Sequence, residues 1–560
     1  HCIMIKAKKR PSPEFLMSTL SPKKLTHRLL ATWFPSKLYQ RTLTWGRTPK
    51  NILNTPPDLW PGDASKGSNL LHNIFQFEYL QLTLSDPIWP ATEQDEFQQA
   101  YLHGFSWLRD LRALGSDPAK EKARHLVTDW SESHGTWQDL PWRPDLLGER
   151  LANLLMSFEF LTASADPKFA QALLASIAIQ SRHLNRVATW GLRDSSLFDV
   201  IKGQILCGIC LPGNRDGLES GLSLLEQEIA RQIMPDGGHF QRSPSIQLRV
   251  LRRLIEIREA LQAVQVEIPV ALQTALDRMG PMLRGYRLGD GSLALFNGGT
   301  EEDGRAVDAV LGKIAVKGKA LSSAPHTGFQ RLTAGRTLIL MDTGGAPPQD
   351  AAHNVHAGAL SFEMCIGKEK LVVNCGNHAS HDEAWTLASR TTAAHSTVCV
   401  NDTNSLVLPT GPIPLQQARE TAVQRREADG NIWLEASHEG YKSIFGLIHR
   451  RKLYLDSAGV DFRGEDNLLG DGGKYFAARF HLHPLVQASL VQDGTGVLLR
   501  LAKGKGAGWR FRAAGGSISL EESIYLGKPG EPRHGNQIVV SGVMEDSEAT
   551  VKWRFDQISN

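Results

Sequence analysis

Residues 353–376 read HNVHAGALSFEMCIGKEKLVVNCG, and residues 390–402 read RTTAAHSTVCVND. Two histidines, His353 and His356, stand before an alternating apolar run, and His395 follows it. Imidazole can do two kinds of chemistry in such a place. A neutral ring is a good zinc ligand. A ring titrating near neutral pH can also carry a proton in general acid–base catalysis. The third reading is structural, with rings that hydrogen-bond to backbone and brace a hairpin. A further candidate is His239, which follows PDGG and precedes Ser243 and Pro244. A loop at a helix N-terminus faces anions naturally, which makes His239 a candidate base. Arg242, three residues on, and Arg390 in the pattern R-T-x-x-x-H are guanidiniums able to clamp a carboxylate.

These residues need elements to hold them. From about Tyr101 to Leu283 apolar side chains recur at three- and four-residue steps, as in Leu218, Leu222, Leu225, Ile229 and Ile233. Breakers such as DPK and PGNRDG separate the helical runs. Ser243 and Pro244 predict an N-cap with proline at the first helical position. After residues 284–299 the period changes to two. Leu360, Phe362, Met364 and Ile366 should share one face, and Gly367 should close a hairpin. Many such strands at short spacing predict stacked antiparallel sheets. The predicted organisation is an N-terminal extension and the start of the helical domain over 1–95, the helical domain over 96–290 and a β-sandwich over 291–560.

Bulk composition narrows the function. The chain has 560 residues, 41% of them hydrophobic and 22% charged, as in globular proteins. Sixty-two basic against 59 acidic side chains leave a net charge of +3, too little to argue for nucleic acid as a partner. No apolar run is long enough to predict a transmembrane span. Six cysteines make no disulfide framework, and Cys207 and Cys210 in CGIC sit inside an apolar helical stretch, which predicts buried structural thiols. The basic N-terminal stretch has no clean apolar core before a small-residue cleavage site, so no signal peptide is predicted.

A helical half followed by these histidine motifs resembles the heparinase II/III-like family of bacterial polysaccharide lyases. LHGFSWLRDL, WRPDLLGERLANLL and PDGGHFQRSP resemble that family's helical-domain motifs. The resemblance implies a multidomain α+β fold, an N-terminal (α/α) toroid followed by a C-terminal antiparallel β-sandwich. It implies β-elimination on uronic-acid polysaccharides, no organic cofactor, and a periplasmic setting; without a signal peptide the cytoplasm stays open. The chemistry asks for three groups: one to neutralise the uronate carboxylate, one to take the adjacent proton, and one to protonate the leaving oxygen.

Residue by residue the match is incomplete. The family's Asn-His pair falls on Ser195 and Ser196, and its tyrosine on Ile246. The first position of its His-x-His falls on Asn354 and the second on His356, with His353 as the alternative first histidine and a substrate-binding candidate. The resemblance puts the metal set, possibly a structural zinc, on His356, Asn374 and His395; Asn374 is a weak ligand because it is uncharged. His239 is the candidate base, Arg390 and Arg242 the candidate carboxylate clamps, and Trp385 a candidate sugar-stacking ring. Tyr286 is a candidate replacement for the missing tyrosine. His481 and His483 in RFHLHP read as structural. The expected function is a lyase on acidic polysaccharide; the alternative is an altered member that binds glycan without cutting it.

Overall fold

The computed structural model describes residues 32–77, 80–89, 94–314, 318–346, 348, 354–377, 383–408, 421–491, 493–502, 508–544 and 548–558. The chain forms two compact units, neither continuous in sequence: residues 1–229 with 253–273, and residues 230–252 with 274–560.

The first unit is helical, the toroid part of the fold. Its helices start where the sequence supplies caps. Asp95 opens Glu96–Gly104 with a capping box, accepting from Gln98 N at 2.8 Å while the Gln98 side chain accepts from Asp95 N at 3.3 Å. Ser116 and Asp166 cap Asp117–His134 and Pro167–Val187, each with proline in the first turn. Two helices, Pro144–Met156 and Leu197–Cys210, meet backbone to backbone. A Cβ on Gly203 would lie 2.5 Å from Gly148 Cα, so neither glycine has room for a side chain. Cys207 and Cys210 are buried, free thiols in Leu197–Cys210, as expected. The same helix sends Lys202 to Glu256 at 2.5 Å, and Trp60 Nε1 donates to Glu256 at 2.5 Å. Buried ions persist only when paired in this way.

The second unit holds the sandwich. Among the described residues one sheet has eight strands, in the order 487–490, 496–500, 509–514, 548–557, 461–469, 448–455, 431–438, 421–428. The other has nine, running 517–525, 533–543, 475–482, 369–373, 362–366, 337–342, 329–334, 323–324, with 398–400 pairing 475–482. Their inner faces share one core. Phe362 stacks on Trp553 with centroids 5.6 Å apart and packs edge-on to Phe462. Leu360, Phe362, Met364 and Ile366 all enter this core, as the period of two predicts. Gly367 turns Phe362–Ile366 into Glu369–Val373 at φ +60°, a conformation glycine adopts without strain. One polar network crosses the core. His438 and His449 face each other at 3.1 Å, and His449, Arg451 and Trp553 all converge on Asp466. Burial alone would raise the Asp466 carboxyl, but Arg451 and His449 hold it well below the usual range.

Candidate functional site

The hairpin and the segments around it gather several of the expected residues in the second unit. His395 gives its Nδ1–H to Thr391 O at 2.7 Å. That fixes the tautomer, so Nε2 carries a lone pair, and His356 Nδ1 lies 3.2 Å from it. Both rings are buried, at 5% and 2% exposure. Burial, His395 and Arg390 push the His356 pKa well below its ordinary value, which keeps this ring neutral. Gly358 is required beside the pair, because a Cβ there would lie 2.6 Å from His395 Cδ2.

Asn374 is fully buried, and main chain takes both ends of its amide. Its Oδ1 accepts from Ser396 N at 3.0 Å, and its Nδ2 donates to Leu295 O at 3.2 Å. A structural zinc takes four ligands. Two imidazoles and a committed amide fall short of that set, and among the described residues no group of three or more His, Cys, Asp or Glu could hold a metal ion. The described donors do not fit a resident zinc.

His239 lies in the loop before Pro244–Ala263, which begins at Pro244 as predicted. The ring is fully buried. Its Nδ1 accepts from Gln241 N at 3.2 Å, so Nε2 carries the proton and donates to Gln232 Oε1 at 2.8 Å. No lone pair is left to take a substrate proton. Arg242, 6% exposed, donates to Thr327 O and Gly345 O at 2.7 Å each and pairs with Asp342. It sits at φ +57°, a strained conformation that these bonds hold in place. Tyr286 is 1% exposed, packed edge-on to Phe329, with burial pushing its hydroxyl pKa well above the ordinary value. Ile246 is buried, and Ser195 is 2% exposed in the first unit.

Three expected residues reach the surface in part. Arg390, half-buried at the end of Glu383–Arg390, donates from Nε to Val355 O at 2.9 Å. Trp385 on the same helix is half-buried, as is Asn354. His353 lies outside the described residues. His481 is a brace, bonded to Ser523 Oγ at 2.8 Å and Ala393 O at 2.9 Å.

The structure adds two residues that sequence reasoning missed. Asn297, at φ +46°, donates to Arg242 O at 3.0 Å and accepts from His356 N at 3.3 Å, so it ties the Arg242 loop to the histidine pair. The NGG after Phe296 was the available signal, a turn sequence. Glu363, fully buried, accepts from Asn374 N at 2.9 Å, while its Oε2 has no partner. Burial pushes its pKa up to about 7. Alternation in LSFE put Glu363 on the face opposite Phe362, so neither its burial nor its charge state was announced.

Known proteins are similar to this chain in sequence and fold. Residues 79–315 match the family description heparinase II/III N-terminus, and 316–554 match heparinase II/III-like, C-terminal. The chain is 30% identical over 547 residues to FtsZ-localized protein C of Caulobacter vibrioides, covering 93% of each. It is 24% identical over 369 residues to heparin-sulfate lyase of Pedobacter heparinus, covering 57% of this chain and 54% of that one. A crystal structure of heparinase III superposes with a TM-score of 0.74 at 13% identity, over 96% of this chain and 91% of the other. A heparan sulfate lyase mutant from Pedobacter heparinus gives 0.66 at 16% identity, over 97% and 92%. With both parts of the family matched end to end and the toroid and sandwich both in place, the chain belongs to the heparinase II/III-like family of polysaccharide lyases.

Proposed function

We propose that this chain is a catalytically altered member of its family that binds acidic polysaccharide without cutting it. The observation that carries the reading is His239: a fully buried ring whose two nitrogens are both engaged. β-Elimination needs a base within reach of the proton beside the uronate carboxylate. Tyr286 is buried with a raised pKa, and serine and isoleucine stand at the positions of the family's usual Asn-His pair and tyrosine. Asn354 has no titratable proton to exchange. The relative from Caulobacter vibrioides is named for localisation with FtsZ and not for a lyase activity, which accords with a non-cleaving role.

Arg390 and Trp385 remain suited to holding a sugar acid, since both are half-exposed on one helix. A guanidinium pairs bidentately with a carboxylate, and an indole face packs on a pyranose ring. His395, paired with His356, holds Thr391 next to Arg390, and Asn374 holds Ser396. The test is a titration of the full chain with a panel of uronic-acid polymers, read for binding and for the ultraviolet absorbance of unsaturated product. Binding of one polymer with no absorbance change is expected, with Arg390→Ala weakening it about tenfold, the worth of one lost charge-assisted contact. Sustained product formation by the wild type would overturn the reading, as would failure to bind any polymer.

A further inference from the structure

The solvent face of the eight-stranded sheet carries a row that the candidate site does not use. Strand pairing places Arg426, Trp433, Tyr454, Arg463, Arg554 and Arg512 opposite one another in turn across six strands. Leu434 beside Trp433, Leu453 beside Tyr454, Phe462 beside Arg463, Phe555 beside Arg554 and Phe511 beside Arg512 all enter the core, so these members of the row point out, and Arg426 is itself exposed. It is open to water: Trp433 is 37% exposed, and the side chains of Arg463, Arg554 and Arg512 are 54%, 37% and 44% exposed.

The row is ordered. Trp433 and Tyr454 lie 5.3 Å apart at 48°. Arg426 sits 5.4 Å over the Trp433 ring and Arg463 5.6 Å over the Tyr454 ring. The Tyr454 hydroxyl donates to Asn431 Oδ1 at 3.1 Å, which anchors that ring. Arg463, Arg554 and Arg512 occupy three consecutive opposed positions. Like charges directly opposite cost a sheet stability, so such a row calls for a compensating purpose. Compensation within the fold is partial. Asp461 accepts from Arg463 at 2.9 Å and Arg554 at 2.7 Å, and Asp556 pairs with Arg510 at 2.8 Å and Arg512 at 3.2 Å. Four guanidiniums therefore share two carboxylates in these two rows, and Arg426 adds a fifth positive charge over the Trp433 ring. The next row is balanced within itself: Glu435, Lys452, Glu465 and Lys552 stand opposite one another in turn, with Glu465 at 3.1 and 3.7 Å from the two lysines. The excess positive charge is thus confined to the aromatic row.

We propose that this row is a binding site for a linear acidic glycan lying across the strands, with Arg463, Arg554 and Arg512 taking carboxylate or sulfate groups and Trp433 taking a sugar face. Strands stand about 4.8 Å apart, so adjacent guanidiniums present charge at the scale of single sugar units. Guanidinium recognises carboxylate and sulfate by paired hydrogen bonds. Two tilted rings on an open sheet face offer sugars a stacking platform. With the whole chain at +3, the charge is modest for nucleic acid. The proposal rests on the reading that this chain binds acidic glycan, and it adds a face to which none of the candidate-site residues belongs.

The experiment is calorimetric titration of the full chain with a heparin octasaccharide, with neutral dextran, a DNA oligonucleotide and anionic lipid vesicles as comparison probes. Arg463→Gln/Arg554→Gln and, separately, Trp433→Ala are compared with Lys368→Gln/Lys528→Gln, a charge-matched pair exposed elsewhere. Thermal melting confirms that each variant folds, and Trp433→Ala keeps the test open if the arginine pair fails to. The expected result is a loss of octasaccharide affinity of about tenfold or more in both row variants and near wild-type affinity in the control. Wild-type affinity in both row variants would overturn this site while leaving glycan binding intact. No octasaccharide binding by the wild type would overturn the broader reading as well. Tighter binding of DNA or vesicles than of the octasaccharide, lost in the row variants, would overturn the choice of ligand.

Discussion

His395 and Glu363 are the two side chains at which the site can be probed most finely. The His395 ring spends its Nδ1–H on Thr391 O and offers Nε2 to His356. Replacing it by alanine should cost about 1–3 kcal/mol of stability, the usual penalty for leaving a buried polar partner unmatched. Denaturant unfolding of His395→Ala measures this, and elemental analysis should find no stoichiometric metal before or after the change. Stoichiometric zinc that disappears with His395 would contradict the bracing role. Glu363 keeps its proton in the folded state up to about pH 7 against an ordinary value of 4.5. The folded chain therefore binds more protons than the unfolded chain across that window, and stability falls as pH rises through it. Glu363→Gln carries no proton to lose, so its stability should stay flat there. At pH 8 it should exceed the wild type by something on the order of 3 kcal/mol, because each tenfold difference in proton affinity between the folded and unfolded chain is worth about 1.4 kcal/mol. Parallel pH profiles for the two proteins would show that Glu363 titrates normally.

The hairpin shows what could be read before any coordinates. Leu360, Phe362, Met364 and Ile366 announced an inward face by alternation alone, and Gly367 announced the turn. Phe362→Ala should cost about 3–5 kcal/mol, typical for a buried aromatic, because the ring packs between Trp553 and Phe480. A cost under about 1 kcal/mol by denaturant unfolding would mean that the two sheets do not close on this residue. The start at Pro244 was legible for a similar local reason, the proline after a capping serine. The fate of His239 was not. Its loop position suggested an open, anion-facing ring, yet the partners that consume it are Gln232 and Gln241. A short return of the chain, in which Ile233 bridges His239, turns the ring inward. Nothing in the type or spacing of these residues announces that turn. Trp433, Tyr454, Arg463 and Arg554 were hidden for the opposite reason. They sit on four different strands, and only register brings them into one row.

At the scale of the molecule, the change of period marks helical sequence giving way to strands, although a helix over Gly304–Gly312 follows it and the compact units divide the chain elsewhere, and the family match spans both parts. The proposed change concerns the chemistry. The scaffold is that of heparinase III over nearly the whole chain, while the described side chains at the expected catalytic positions are buried, bonded or replaced. On the proposed reading, a lyase scaffold whose described candidate bases are engaged should hold its polymer and leave it whole. The most direct measurement is the chain length of a polymer that the protein binds, followed by size-exclusion chromatography through prolonged incubation with an equimolar amount of the protein. The expected result is an unchanged length distribution and no unsaturated ends. Progressive shortening with one unsaturated uronate formed per cut, absent from a protein-free control, would contradict it.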